Sequence, residues 1–154
     1  MLIKIRNDIT IKTANALLDL SLFLHKKIIR IMEVNLPKDL SLLQMRTLAL
    51  IKEKDNVNMS YLAKELLISK QQCTVLINAL FDKGYINRFT NPINLREVLL
   101  DLTDKALNLI NDFDNYMESM LCENFKNISI DDKKNLLLAS SFIKNLLEEN
   151  PIQY

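Results

Sequence analysis

The sequence predicts a mainly α chain with a small β-hairpin, in which a helix-turn-helix core leads into the hairpin and long helices flank both. Three observations carry this. One glycine and three prolines in 154 residues leave few chain-breaking positions, so helices run long. Residues 59–84 hold two short stretches of helical periodicity separated by a tight turn at Leu67 and Ile68. Two strand-prone runs, YINRF and EVLLDL, bracket TNPINLR, whose Asn and Pro favour a loop.

The chain divides into an N-terminal helix over residues 1–36, a central module over 37–103 and C-terminal helices over 104–154. In the first segment Ile9, Leu17, Leu18, Leu20, Phe23, Leu24, Ile28, Ile31 and Met32 cover more than one helical stripe, which calls for partners on two sides. Leu36 precedes Pro37 and is pushed out of helical geometry, ending it. LSLLQMRTLALIKEK then begins with Ser41 and Gln44 at capping-box spacing, with Leu43, Leu48 and Ile51 expected on its inner side. Asn58 caps a short helix, MSYLAKELL, whose Leu62, Ala63 and Leu66 face inward with Ile68 of the turn.

The helix from Ser69 to Gly84, SKQQCTVLINALFDKG, has two unlike faces. Ser69 and Gln72 form a second capping box, and Gly84 stops the helix. At 100° per residue Cys73, Leu76, Ile77 and Leu80 share the apolar side. Gln71, Thr74, Val75 and Asn78 share the other, with short or amide-bearing uncharged side chains where a solvated helix usually carries Lys and Glu. Amide, hydroxyl and methyl groups match what base edges offer in a major groove, so these four are the candidate base contacts, with an A/T-leaning half-site expected. Ser69, Lys70 and Gln72 stand at the helix start, where free amides and the dipole attract a phosphate. Lys64 and Lys83 are weaker candidates for the same role. Arg88 and Arg96 flank the hairpin loop, with Arg96 the stronger choice for phosphate or the adjacent minor groove.

After the hairpin, Thr103 caps a long helix in which Ala106, Leu109, Phe113, Tyr116 and Met120 recur at spacings of three and four, a coiled-coil-like seam. Ser129 and Asp132 open a final helix with Leu136, Ala139, Phe142, Ile143, Leu146 and Leu147, ending before Pro151. The end helices carry more apolar surface than the central module covers, so an oligomer is expected to bury it.

The totals narrow the function. Nearly half the residues are hydrophobic, enough for a packed core. No apolar run reaches the 18 or so residues of a membrane span, and MLIKIRNDI lacks the layout of a signal peptide, so a cytoplasmic location is expected. The balance of 20 basic and 19 acidic residues removes any general argument for nucleic acid, but residues 61–96 hold five basic and two acidic residues. Cys73 and Cys122 lack metal-ligand spacing, and Cys73 belongs to the packing face. The single histidine, His25, has no partner ligands and belongs at a surface or interface. No metal, cofactor or catalytic set is indicated.

Three segments, LSLLQMRTLALI, YLAKELLISKQQCTVLINALFDKGYINR and NLREVLLDLTDKA, in this order and spacing, resemble the MarR-type winged-helix regulators of bacteria. The resemblance spans nearly all of the chain. It implies a winged helix-turn-helix core, a homodimer knitted by its first and last helices, and binding to palindromic double-stranded DNA, as a repressor or less often an activator. It implies a possible small hydrophobic or aromatic effector, and it extends the candidate DNA contacts to Asn91 and Asn94 of the wing. Three positions depart from the family pattern: Asn94 replaces the Asp of an Asp-x-Arg pair with Arg96, Val75 stands where a basic residue is common, and Ala106 replaces a glycine. The competing reading is a winged-helix protein-interaction module with little DNA binding.

Overall fold

The computed structural model describes residues 8–152, and the reading of the opening stretch MLIKIRNDI falls mostly outside them. The elements are α1 (Asp8–Leu24), a π-helical segment (His25–Ile29), α2 (Arg30–Asn35), α3 (Leu42–Glu53), β1 (Val57–Asn58), α4 (Met59–Glu65), α5 (Lys70–Asp82), β2 (Ile86–Thr90), β3 (Val98–Leu102), α6 (Asp104–Asn124) and α7 (Ile130–Glu149). No helix among the described residues is long and apolar enough to cross a membrane. The chain forms two units, Met1–Phe113 and Asp114–Tyr154.

In the first unit, α1, the π-helical segment and α2 follow one another without an intervening loop, and Leu36 adopts an extended conformation (φ −61°, ψ 147°) before Pro37. His25 is exposed in the π-helical segment. Both expected capping boxes form. Ser41 Oγ accepts from Gln44 N and Gln44 Oε1 from Ser41 N, and Ser69 and Gln72 repeat the exchange on α5. Asn58 caps α4 through Tyr61 N at 2.8 Å.

The turn between α4 and α5 is a Schellman motif. Ile68 N donates to Ala63 O at 3.0 Å and Leu67 N to Lys64 O at 3.2 Å, with Leu67 in the left-handed region at φ 56°. The end of α5 repeats it, with Tyr85 N to Leu80 O at 3.0 Å and Gly84 N to Phe81 O at 2.8 Å. Here the left-handed residue is Gly84 (φ 73°), and a Cβ would meet nothing within 4 Å, so glycine serves the backbone angle and not space.

The sheet has three antiparallel strands in the order β1-β3-β2, one more than the expected hairpin. Strand β1 is two residues long, too short to leave a periodic signal; Val57 pairs with Leu100, while Arg88 pairs with Leu100 from the other side. As the central strand, β3 buries Leu99 and Leu100 on opposite faces. Leu48, Leu62, Cys73, Ile77, Leu80 and Ile86 fill the core beneath the sheet-facing helices.

One inward assignment needs correction. Leu43 is 39% exposed, and Thr47 is the buried residue one turn on, its hydroxyl satisfied by Leu43 O at 2.7 Å. In α6 the buried stripe is Ala106, Ile110, Phe113 and Met117; Leu109 and Met120 are half-buried and Tyr116 is exposed. The stripe therefore runs one position off the expected seam at alternate turns. In the second unit α7 starts at the Ser129 cap, accepting from Asp132 N at 3.1 Å. Ile143 and Leu147 are half-buried, while Leu136, Ala139, Phe142 and Leu146 lie exposed.

Candidate nucleic-acid interface

Helix α5 presents the two faces its sequence requires. Cys73, Leu76, Ile77 and Leu80 are buried, and Gln71, Thr74, Val75 and Asn78 are all exposed. Val75 is 69% exposed, an uncovered branched side chain at the middle of the outer face. Thr74 donates its hydroxyl proton to Lys70 O at 2.9 Å, which leaves its methyl and oxygen lone pairs outward. Asn78 accepts at Oδ1 from Arg88 Nη2 at 2.6 Å, and the Arg88 guanidinium lies 4.6 Å from the centre of the Phe81 ring. Arg88 thus joins β2 to the outer face of α5.

At the start of α5, Ser69 Oγ and Gln72 Oε1 are engaged in the capping box, leaving the Gln72 amide protons and the Lys70 ammonium to face outward. Lys64 is exposed too, and no ion pair engages it or Lys70 among the described residues. Lys83 is different. Its Nζ donates to Asp39 O and reaches Gln44 Oε1 at 3.4 Å, so it ties the end of α5 to the entry of α3 and does not stand free for a phosphate. A shallow groove of about 430 Å³ runs between α3 and α5 beside the outer face, lined by Leu43, Gln71, Val75, Ala79 and their neighbours. This is where Leu43 points.

The wing loop is ordered by its own polar groups. Asn91 Oδ1 accepts from Ile93 N at 2.9 Å and Asn94 N at 3.4 Å, and Asn91 Nδ2 donates to Glu97 Oε2 at 2.6 Å. The other carboxylate oxygen of Glu97 accepts from Asn58 Nδ2, the cap of α4. Glu97 therefore links the wing to the first helix of the helix-turn-helix. Asn94 Oδ1 accepts from the backbone N of Arg96 at 3.3 Å and not from its guanidinium, which has no partner among the described residues. Glu97 was missed in the sequence because its partners, 6 and 39 residues away, meet only through the strand register.

Burial pushes the Cys73 thiol above its ordinary value, and its Sγ lies 3.5 Å from Met59 O. Cys122 is exposed. Among the described residues no group of three or more His, Cys, Asp or Glu side chains gathers as a metal site.

Residues 40–98 match the family model described as MarR family. A curated relative, the uncharacterized HTH-type transcriptional regulator YvnA of Bacillus subtilis (strain 168), is 35% identical over 75 residues. That match covers 49% of this chain and 48% of the relative, so the chain spans about half the length of the curated relative it matches. Among solved structures, Streptococcus pneumoniae FabT in complex with DNA is 25% identical with a TM-score of 0.71, covering 89% of this chain and 98% of FabT. A MarR family protein from Bacillus stearothermophilus, 16% identical, superposes with a TM-score of 0.73 over 94% of this chain and 98% of its own. The matched segment begins just before α3 and ends at the start of β3, taking in both capping boxes, the turn at Leu67 and the wing, and over it the chain is similar to the MarR family of winged helix-turn-helix proteins.

Proposed function

We propose that the chain is a DNA-binding transcriptional regulator whose α5 enters the major groove of double-stranded DNA while the wing meets the adjacent minor groove. The observation that carries this reading is the outer face of α5: four exposed uncharged side chains, Gln71, Thr74, Val75 and Asn78, on a helix capped at both ends and braced by Arg88. Ser69, Lys70 and Gln72 serve the phosphates at the helix start, and Arg96 serves the phosphates or minor groove from the wing. Asn91 and Asn94 shape the loop that carries Arg96. The likeness to FabT, solved with DNA, supports the reading, and the family is one of transcription regulators, not enzymes.

A single reading helix contacts few bases, so discrimination against a genome requires two, spaced about 34 Å apart on successive major grooves. The chain is accordingly proposed to act as a homodimer on a palindromic site, its partner faces being the exposed apolar residues Leu18, Leu22 and Phe23 of α1 and Leu137, Leu138 and Phe142 of α7. Each such side chain removed from water contributes roughly 1.5–3 kcal/mol. Repression, and release by a small hydrophobic or aromatic effector, rest on the family resemblance. A regulator of this kind works in the cytoplasm.

Fluorescence anisotropy with a duplex from upstream of its own gene, beside an unrelated duplex of equal length, tests the reading at rising salt. Tighter binding to the first, weakening steeply with salt, is expected. Absent or salt-insensitive binding would favour the protein-interaction module instead.

A further inference from the structure

The tip of the wing is apolar where a loop that only met phosphates would be polar. Ile93 is 95% exposed and Leu95 79% exposed, at alternate positions of the loop. They are not on a slack segment. Asn91 Oδ1 receives the amides of Ile93 and Asn94, Asn91 N donates to Glu97 O at 2.9 Å, Glu97 N donates to Asn94 O at 2.9 Å, and the Glu97 carboxylate is anchored to Asn58. The loop thus keeps two uncovered aliphatic side chains in a fixed forward position, a standing cost in water unless something covers them.

We propose that Ile93 and Leu95 form a wedge that enters the minor groove of duplex DNA and partly unstacks one base step beside each half-site. The proposal rests on the DNA-binding reading above. The ridge is two side chains wide and bordered by Asn91, Asn94 and the exposed Arg96, a pattern that suits a narrow, negatively charged groove with an apolar floor between base planes. A protein partner would ask for a broader apolar patch. The wing is continuous with the reading face through Arg88 and Asn78, so a wedge at its tip falls next to the bases that α5 contacts. Pyrimidine–purine steps unstack most easily and are the expected targets.

The test uses the full-length protein and a duplex enriched by selection from a randomised pool, carrying 2-aminopurine at successive positions through the flanks. The expected result is a local rise in fluorescence at one step per half-site, lost in Ile93→Ser and reduced in Leu95→Ser. Binding of Ile93→Ser should weaken roughly tenfold with an unchanged salt slope, since no charge is removed. Both side chains are exposed, and matching thermal melts of the free proteins separate this loss from misfolding. Tight binding with 2-aminopurine quenched at every position, or an Ile93→Ser variant that keeps affinity and signal, would overturn the wedge. A wild-type protein that enriches no duplex would remove the DNA reading and the wedge together, and it is seen before any variant is made.

Discussion

Arg88 and Asn78 join the wing to α5: Arg88 Nη2 donates to Asn78 Oδ1 at 2.6 Å while the guanidinium lies against Phe81. The contact fixes which end of the Asn78 amide faces outward. With Oδ1 turned to Arg88, Nδ2 is the group left to donate, so Asn78 suits an acceptor such as a purine N7 or thymine O4. Asn78→Ala should lower discrimination at one position of each half-site by about 1–3 kcal/mol. Arg88→Ala should show part of the same loss, with a coupling of roughly 1 kcal/mol in a double-mutant cycle on DNA affinity. Strictly additive losses would mean that Arg88 does not position Asn78.

Arg96 differs from Arg88 in that its guanidinium has no partner among the described residues. Arg96→Ala should weaken binding to related and unrelated duplexes alike and reduce the slope of log affinity against log salt by about one. An unchanged slope in a salt titration would assign Arg96 to the fold.

Glu97 carries the connection between wing and helix-turn-helix, accepting from Asn91 and Asn58 at once. Glu97→Ala leaves both amides without their charged acceptor and should cost about 1–3 kcal/mol of stability, read by urea denaturation. Glu97→Gln keeps one acceptor and should fall between the two. Equal midpoints for all three proteins would show that the linkage contributes nothing.

The cysteines should separate cleanly under alkylation. Cys73 is fully covered and its thiol is pushed up by burial, whereas Cys122 is exposed. Mass spectrometry after maleimide treatment of the native protein should find Cys122 modified and Cys73 intact until urea is added. Native labelling at Cys73 would contradict its place in the core.

Tyr85 is held above the ordinary phenol value of 10.0, first by burial and then by its hydrogen bond to Asp39 at 3.0 Å and the charge of that carboxylate. Because the folded value is the higher one, the unfolded chain loses this proton first. The contribution is complete below pH 10.0 and declines as pH rises through the folded value. Tyr85→Phe should melt lower near neutrality and show a shallower fall above that pH. Parallel alkaline limbs in thermal melts would disprove the assignment.

The parts of the molecule written in local spacing were legible in the sequence. Ser69 with Gln72 and Gly84 set the ends of α5, and a 100° step sorted Cys73 from Val75 correctly because each face has a single environment. Leu43 was misplaced because α3 buries Thr47, a residue whose hydroxyl is satisfied within its own helix, and polarity alone hides that. In α6 the apolar residues are dense enough to support two adjacent stripes, and packing selected Ile110 and Met117 over Leu109 and Tyr116. Strand β1 is too short to have a period. The contacts of Arg88 and Glu97 depend on which residues the sheet register brings opposite, and Lys83 was claimed by Asp39 and Gln44, which precede it by about forty residues. None of these is local.

Selection of bound sequences from a pool of random duplexes by the full-length protein tests the central claim most directly, that paired copies of α5 read bases through Gln71, Thr74, Val75 and Asn78. The expected product is one palindromic sequence with half-sites about one helical turn apart, A/T-leaning where α5 lies. A pool that emerges with no shared sequence, or with a single unrepeated half-site, would contradict it.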